Sequence, residues 1–169
     1  MPIISLIAAV AHPSWAIGNE GKIPWERIPS DMRQFSLLTR NKPLIMGMET
    51  YLSLPQTDGE PLPGRKKIVI TSRPELVIHS NCVVAKTPEE ALAMTQDAQE
   101  VCVIGGERVY RDFLPSANRI YLTKVDVGAG GDRFFPKFDE SGWRLGLHDR
   151  VMVHRAQDPY PTRVVNYFR

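Results

Sequence analysis

Four short stretches of this sequence carry residue types suited to chemistry on a charged ligand. The first is Asp31. On a helix, Asp31, Phe35 and Leu38 recur at i, i+4 and i+7 with Met32 beside them, while Arg33 and Arg40 point the other way. A carboxylate is thereby turned toward an apolar side, where lost solvation raises its pKa. The plainer reading is an Asp in a first helical turn, complementing the helix dipole. The second stretch is Val101–Gly106 leading into Glu107. A buried strand, two glycines and a helix start let backbone N–H groups approach a phosphate. It is not a GxGxxG fingerprint, and a tight strand-to-helix turn explains it as well. Gly47 before Glu49-Thr50 repeats the arrangement, and two such ends side by side suit a diphosphate. The fourth is Thr71-Ser72-Arg73 before Pro74. Hydroxyls and a guanidinium suit a phosphate monoester; singly, a solvated turn is the simpler explanation. GAGGD (128–132) reads as a loop or bulge, since no phosphate-binding helix follows it.

The elements that must hold these residues alternate along the chain. Residues 3–10 (IISLIAAV) are continuously apolar, as a strand covered on both faces would be. Residues 11–27 are polar, Pro- and Gly-containing, yet carry Trp15, Ile17, Ile23 and Trp25, the mark of a functional cover. Pro29 opens a helix through DMRQFSLL. PLIMG (43–47) predicts a short strand, followed by a helix from Glu49 to about Leu54. Strands are expected at 65–72, 81–86, 101–106 and 119–127, with helices from Pro88 to about Gln96 and over 107–114. WRLGLHDRVMVH and TRVVNYFR resemble a terminal antiparallel hairpin. The fold class expected is a single α/β domain: a mixed, mostly parallel central β-sheet of about eight strands, about four flanking helices and a C-terminal antiparallel hairpin.

Composition narrows the function further. A chain of 169 residues fits one domain, spanning 1–169. Lys plus Arg is 21 and Asp plus Glu is 19, a net charge of +2 that points to neither nucleic acid nor membrane as a partner. No apolar run suffices to span a bilayer, and the apolar start lacks a basic leader region. Cys82 and Cys102 sit among β-branched residues like buried strand thiols, which fits a reducing cytoplasm. The four histidines are scattered and no metal-ligand spacing occurs, so no metal is expected. There is no GxSxG elbow and no GxxxxGK[ST] loop. The 14 prolines imply many enforced breaks and shaped loops.

Taken in order, ISLIAAV, AIGNEGKIPW, IPSDMRQF, NKPLIMG, PLPGRKKIVITSR, VIGGERVYRDFLP, IYLTKVD and GDRFFP resemble the dihydrofolate reductase family over nearly the whole chain. The resemblance implies reduction of 7,8-dihydrofolate to tetrahydrofolate with NADPH. Asp31 matches the family's active-site acid, binding the pteridine 2-amino group and N3–H. Thr123 matches the residue that fixes the acid's rotamer. A water near Trp25 and the Ile17–Pro24 loop would deliver the proton to N5. Arg65 matches the guanidinium that pairs with the substrate's glutamate tail. Ile7, Met32, Phe35, Leu54, Ile104 and Tyr110 would wall the rings.

For the cofactor, the resemblance places Ala9, Ile17 and Gly18 beside the nicotinamide. Gly105-Gly106 matches a cis link followed by backbone donors over Glu107, Arg108, Val109 and Tyr110. Gly47, Met48, Glu49 and Thr50 would face them from the other helix. Thr71, Ser72 and Arg73 match the 2′-phosphate site, and Lys86 the adenine edge. It also implies antifolates as inhibitors; no long exposed apolar stripe demands a partner, so a monomer is expected. Two other readings share parts of this pattern: a pyrimidine reductase of riboflavin synthesis, which should lack Asp31 and the PLPGR arginine, and a nucleotide- or pterin-binding module without turnover. Three departures stand out. Met48-Glu49 replaces a run with a basic residue after the strand Gly, removing a phosphate contact unless Arg73 compensates. LPQTDGE (54–60) is longer and more acidic than usual. Ile23 stands for a flexible Met in the covering loop, whose start Pro13 and Trp15 lengthen.

Overall fold

The computed structural model describes residues 1–55 and 60–169, so most of the longer 54–60 segment lies outside the described residues. The chain runs β1 (Ile3–Ala11), β2 (Ala16–Gly18), α1 (Pro29–Thr39), β3 (Leu44–Gly47), α2 (Met48–Ser53), β4 (Lys67–Ile70) and β5 (Cys82–Ala85). It continues with α3 (Pro88–Ala93), β6 (Glu100–Val103), α4 (Glu107–Phe113), β7 (Arg119–Val125), β8 (Arg133–Phe134), β9 (Arg144–His148) and β10 (Thr162–Phe168). The main sheet has eight strands in the order β5-β4-β3-β6-β1-β7-β10-β9. Pairings from β5 through β7 are parallel; β10 joins β7 and β9 antiparallel. The expected fold class is therefore the observed one. A second, two-stranded sheet of β2 and β8 does not follow from the sequence, because such short strands have no period to read.

Strand alternation explains the two layers. Ile4, Leu6, Ala8 and Val10 of β1 enter one apolar cluster with Ile45, Ile68, Val101 and Val103, covered by Ala91 of α3 and Val109, Tyr110 and Phe113 of α4. Ile7, Leu44, Met46, Val69 and Cys102 point to the opposite face, covered by Phe35 and Leu38 of α1 and by Met48 and Tyr51 of α2. Both faces of the parallel strands are thus buried, which is why their sequences are continuously apolar. Thr123 shares the second face with Tyr121, so it looks toward α1.

Local signals set the helix ends. Pro29 occupies the first turn of α1. Thr87 caps α3 by accepting from the Glu90 amide at 3.2 Å. That helix stops at Ala93, short of Gln96, because both the amide and the hydroxyl of Thr95 return to the Leu92 carbonyl. Strand β4 is shorter than the expected 65–72, since Arg65 is drawn off toward α1.

Lys67, the first residue of β4, is fully buried. Its ammonium donates to Glu60 Oε1 at 2.6 Å and to the carbonyls of Pro61 and Leu62 at 2.9 and 3.1 Å. It therefore latches the turn that precedes Arg65. Lys67→Ala loses these bonds and leaves a cavity, and should cost about 2 kcal/mol or more in urea unfolding.

Candidate active site

Asp31 lies in the first turn of α1, largely out of water, and burial pushes its carboxyl above the ordinary 3.8. A hydrogen bond from the Thr123 hydroxyl works against that rise, and the nearby Asp158 carboxylate adds to it. Thr123 is buried and pairs in register with Ala9 of β1. Asp158 is itself buried, and its oxygens accept from the amide of Ser30, at 3.0 Å, and from the Ser30 hydroxyl. It thereby caps α1, which has no side-chain cap of its own, from 128 residues away along the chain. On the sheet side, Tyr110 donates its hydroxyl to the Ile7 carbonyl at 2.6 Å. Burial, and then the Asp31 charge, hold the Tyr110 proton firmly on the phenol.

The apolar walls assemble around this acid. Ile7, Phe35, Leu54 and Ile104 share one cluster, with Leu54 at the end of α2 and Ile104 at the end of β6. Met32 stays exposed beside Asp31. Arg65 is clamped at the far end of α1: Nε donates to Thr39 Oγ1 at 3.0 Å and Nη1 to the Pro63 carbonyl at 3.0 Å. Thr39 is held in turn by its bond to the Phe35 carbonyl at 2.8 Å. One helix thus carries an acid at its start and orients a guanidinium at its end. Trp25 is half-buried in the segment leading into α1.

The other predicted residues form a line along the carboxyl ends of the parallel strands. In sheet order these are Lys86 after β5, Thr71-Ser72-Arg73 after β4, Gly47 at the end of β3, Ile104-Gly105-Gly106 after β6, and Ala9 near the end of β1. Chain order breaks here, because β6 inserts between β1 and β3, and such a switch point opens a crevice. Gly105–Gly106 is a cis peptide, and the Gly47 amide donates to the Gly105 carbonyl at 2.8 Å. A Cβ on Gly47 would come within 3.1 Å of Val109 Cγ2, and one on Gly105 within 3.1 Å of Thr50 Oγ1. Glycine is what allows the first turns of α2 and α4 to sit together. Ser72, Arg73 and Lys86 are exposed, and the Arg73 amide is turned onto Thr71 Oγ1 at 2.9 Å. Ile17 and Gly18 belong to β2, whose following turn, Asn19–Lys22, passes through positive φ at Glu20 and Gly21.

Two of these residues could serve a ligand through their backbone only, since their side chains are turned elsewhere. The Met48 side chain is only 9% exposed and packs into the apolar cluster with Ile7 and Tyr51. Arg108 projects into solvent near Asp112. Three functional-looking residues escape sequence reading: Asp158, Lys67 and Arg133. Asp158 and Arg133 act across long sequence separations, and Lys67 looks like one more surface cation in RKK. Among the described residues, no group of three or more His, Cys, Asp or Glu side chains is placed to hold a metal.

A half-buried acid set against one face of a mixed sheet, beside a glycine-lined crevice at the strand ends, describes a two-ligand α/β enzyme of the nucleotide-using kind. The family model described as dihydrofolate reductase matches residues 3–169. A dihydrofolate reductase type 3 from Salmonella typhimurium is 40% identical over 142 residues, covering 84% of this chain and 83% of that one. The dihydrofolate reductase of Bacillus subtilis (strain 168) is 40% identical over 151 residues, 89% and 86% of the two chains. A solved dihydrofolate reductase from Enterococcus faecalis, complexed with NADP(H) and RAB-propyl, superposes with a TM-score of 0.84 at 31% identity, over 99% of this chain and 96% of that one. This chain belongs to the dihydrofolate reductase family.

The raised Asp31 pKa makes a stability prediction. Where the native carboxyl is protonated and the unfolded one is not, the native state binds more protons, so stability falls as pH rises through that window. Above it the buried carboxylate remains a cost. Asp31→Asn should therefore raise Tm at neutral pH, by roughly 2–4 °C for each kcal/mol recovered. The gain should vanish near about pH 3, where both states are protonated. Equal melting temperatures at both pH values would show that the ionised carboxylate is no burden.

Proposed function

We propose that this protein catalyses the NADPH-dependent reduction of 7,8-dihydrofolate to 5,6,7,8-tetrahydrofolate, placing a hydride on C6 and a proton on N5. The observation that carries the reading is the pairing of Asp31, set beside Thr123 on the second face of the sheet, with the crevice over Gly47 and Gly105-Gly106.

The crevice suits a dinucleotide. Side chains are missing where the chain turns at Gly47 and Gly105, Thr50 stands over the cis link, and Ser72, Arg73 and Lys86 offer hydroxyl and cationic groups further along the same edge. Ser72 and Arg73 would take the 2′-phosphate; Ala9, Ile17 and Gly18 would border the nicotinamide. When bound, NADPH supplies the hydride. The chain does the rest. Asp31 accepts from the 2-amino group and N3–H of the pteridine, which sets the ring's face toward the crevice and favours a proton on N5. Thr123 holds the carboxylate in that pose. Ile7, Met32, Phe35, Leu54, Ile104 and Tyr110 exclude water, so the few polar contacts act at full strength. Arg65, with Nη2 only 3.4 Å from the Ser36 carbonyl and its other nitrogens bonded, faces the glutamate tail as a fixed fork. Among the described residues, the other carboxylate near Asp31 is Asp158, which is engaged by Ser30, so a water admitted beside Trp25 and the Ile17–Pro24 loop brings the proton to N5. Antifolates with a similar heteroaromatic edge would compete for Asp31.

We also place the protein in the cytoplasm as a monomer. Its two cysteines are free, and burial pushes the Cys102 thiol up to about 12, the behaviour of inert core thiols in a reducing compartment. No helix among the described residues is long and apolar enough to cross a membrane.

Purified protein should consume reduced-nicotinamide absorbance only when dihydrofolate is present; no consumption sinks the proposal. Asp31→Asn should lower the hydride-transfer rate by about 10²-fold or more at neutral pH, with NADPH binding retained. Arg73→Ala should erode the preference for NADPH over NADH; an unchanged ratio of kcat/KM values would move the 2′-phosphate site elsewhere.

A further inference from the structure

The proposed cofactor groove contains a charge problem visible in the sequence. Met48-Glu49 puts a carboxylate, and no cation, in the first turn of α2, next to Gly47 and Thr50. Met48 offers no remedy by substitution in place, because its side chain is buried in the core. Arg73 lies after β4, at another strand end. Glu49 itself is exposed, with 70% of its side chain open to solvent, so its charge would face an arriving diphosphate.

The missing cation comes from the residue just after the GAGGD stretch that reads as a loop or bulge. Arg133, in β8, grips Glu49 with two hydrogen bonds, Nε to Oε2 at 3.2 Å and Nη2 to Oε1 at 3.1 Å. A third nitrogen, Nη1, donates to the Asp132 carbonyl at 3.1 Å. Tertiary structure places it there. Strand β8 pairs with β2, and Arg133 lies opposite Gly18, where a Cβ would sit 3.5 Å from that of Arg133. The same strand satisfies the other carboxylate of the groove: the Phe134 amide donates to Glu107 Oε2 at 3.2 Å, and Arg111 meets Glu107 Oε1 at 2.9 Å. Each of the two acids beside the cis Gly105–Gly106 link thus receives a bond from β8, and Glu107 is paired besides with Arg111 of its own helix. An ordinary exposed ion pair adds little to stability, but this one is bidentate and stands at a site meant for an anion.

We propose that Arg133 is an affinity residue for the dinucleotide: by neutralising Glu49 it keeps the groove between the first turns of α2 and α4 open to a diphosphate. The inference rests on the NADPH reading above. Glu49 unpaired would repel the diphosphate; paired, it does not. The role belongs to the couple rather than to either residue, so it is separable from a direct contact between Arg133 and phosphate.

Titration of NADPH into the intact protein, followed by quenching of tryptophan fluorescence, tests this. Arg133→Met should weaken NADPH binding by about tenfold at low salt, and the deficit should shrink to about twofold near 0.5 M salt, where the Debye length is only a few ångströms. Arg133→Lys, which keeps the charge, should recover most of the loss, and the double variant Arg133→Met/Glu49→Gln should bind within about threefold of wild type. Arg133→Met that binds like wild type overturns the proposal. So does a double variant as weak as the single one, which would assign Arg133 a direct contact, and so does a deficit that salt leaves unchanged, which would mark a structural loss. Wild-type protein that does not bind NADPH at all overturns the functional reading together with this one.

Discussion

Taking the Asp31 carboxylate out of water is the energetic difficulty around which the cleft is arranged. Burial alone drives the group toward its neutral form, and the Asp158 carboxylate behind α1 adds to that pressure. The Thr123 hydroxyl opposes both, and it can do so only because β7 lies beside β1 in the register that pairs Thr123 with Ala9. A slip of one residue would turn Thr123 to the α4 face and leave the acid with no partner there. The parallel register of two strands therefore bears directly on the ionisation of one side chain.

The same sheet geometry serves the second ligand. Parallel strands end together, so residues far apart in the chain line one edge, and the insertion of β6 between β1 and β3 opens that edge where the glycines stand. At this edge and away from it, charge is managed by pairing. Glu49 and Glu107 are met by β8, Glu60 by the buried Lys67, and Asp158 by Ser30. Each of these partners joins an irregular segment to a regular element. Ions and hydrogen bonds hold these segments alongside apolar packing such as that of Trp15, Phe135 and Phe138.

Stability and function pull against each other at α1. The helix begins with a group that would be better buried as an amide, and the cost is tolerated because the carboxylate is what a pteridine edge can grip. Its N-terminus is capped by a residue of the C-terminal loop, so the acid's surroundings depend on the last quarter of the chain docking correctly. Arg65 shows the complementary case. Its position is over-determined by Thr39, Pro63 and Ser36, which suits a group meant to meet a flexible charged tail without reorganising.

Much of the molecule is legible from sequence alone, for identifiable reasons. Continuous apolar runs announced the parallel strands because both of their faces are covered. The i, i+4, i+7 spacing of Asp31, Phe35 and Leu38 announced the face of α1, and Pro29 and Pro88 announced helix starts, because these signals act within one or two turns of chain. Ordered motifs were enough to suggest the family and the residues of the cleft. What only the tertiary structure decided is which charges meet. Arg133 with Glu49, Asp158 with Ser30, and the burial of Lys67 and Met48 depend on segments brought together by sheet order. A side chain's charge is written in the sequence; the partner that meets it, 84 or 128 positions away, is set by the fold.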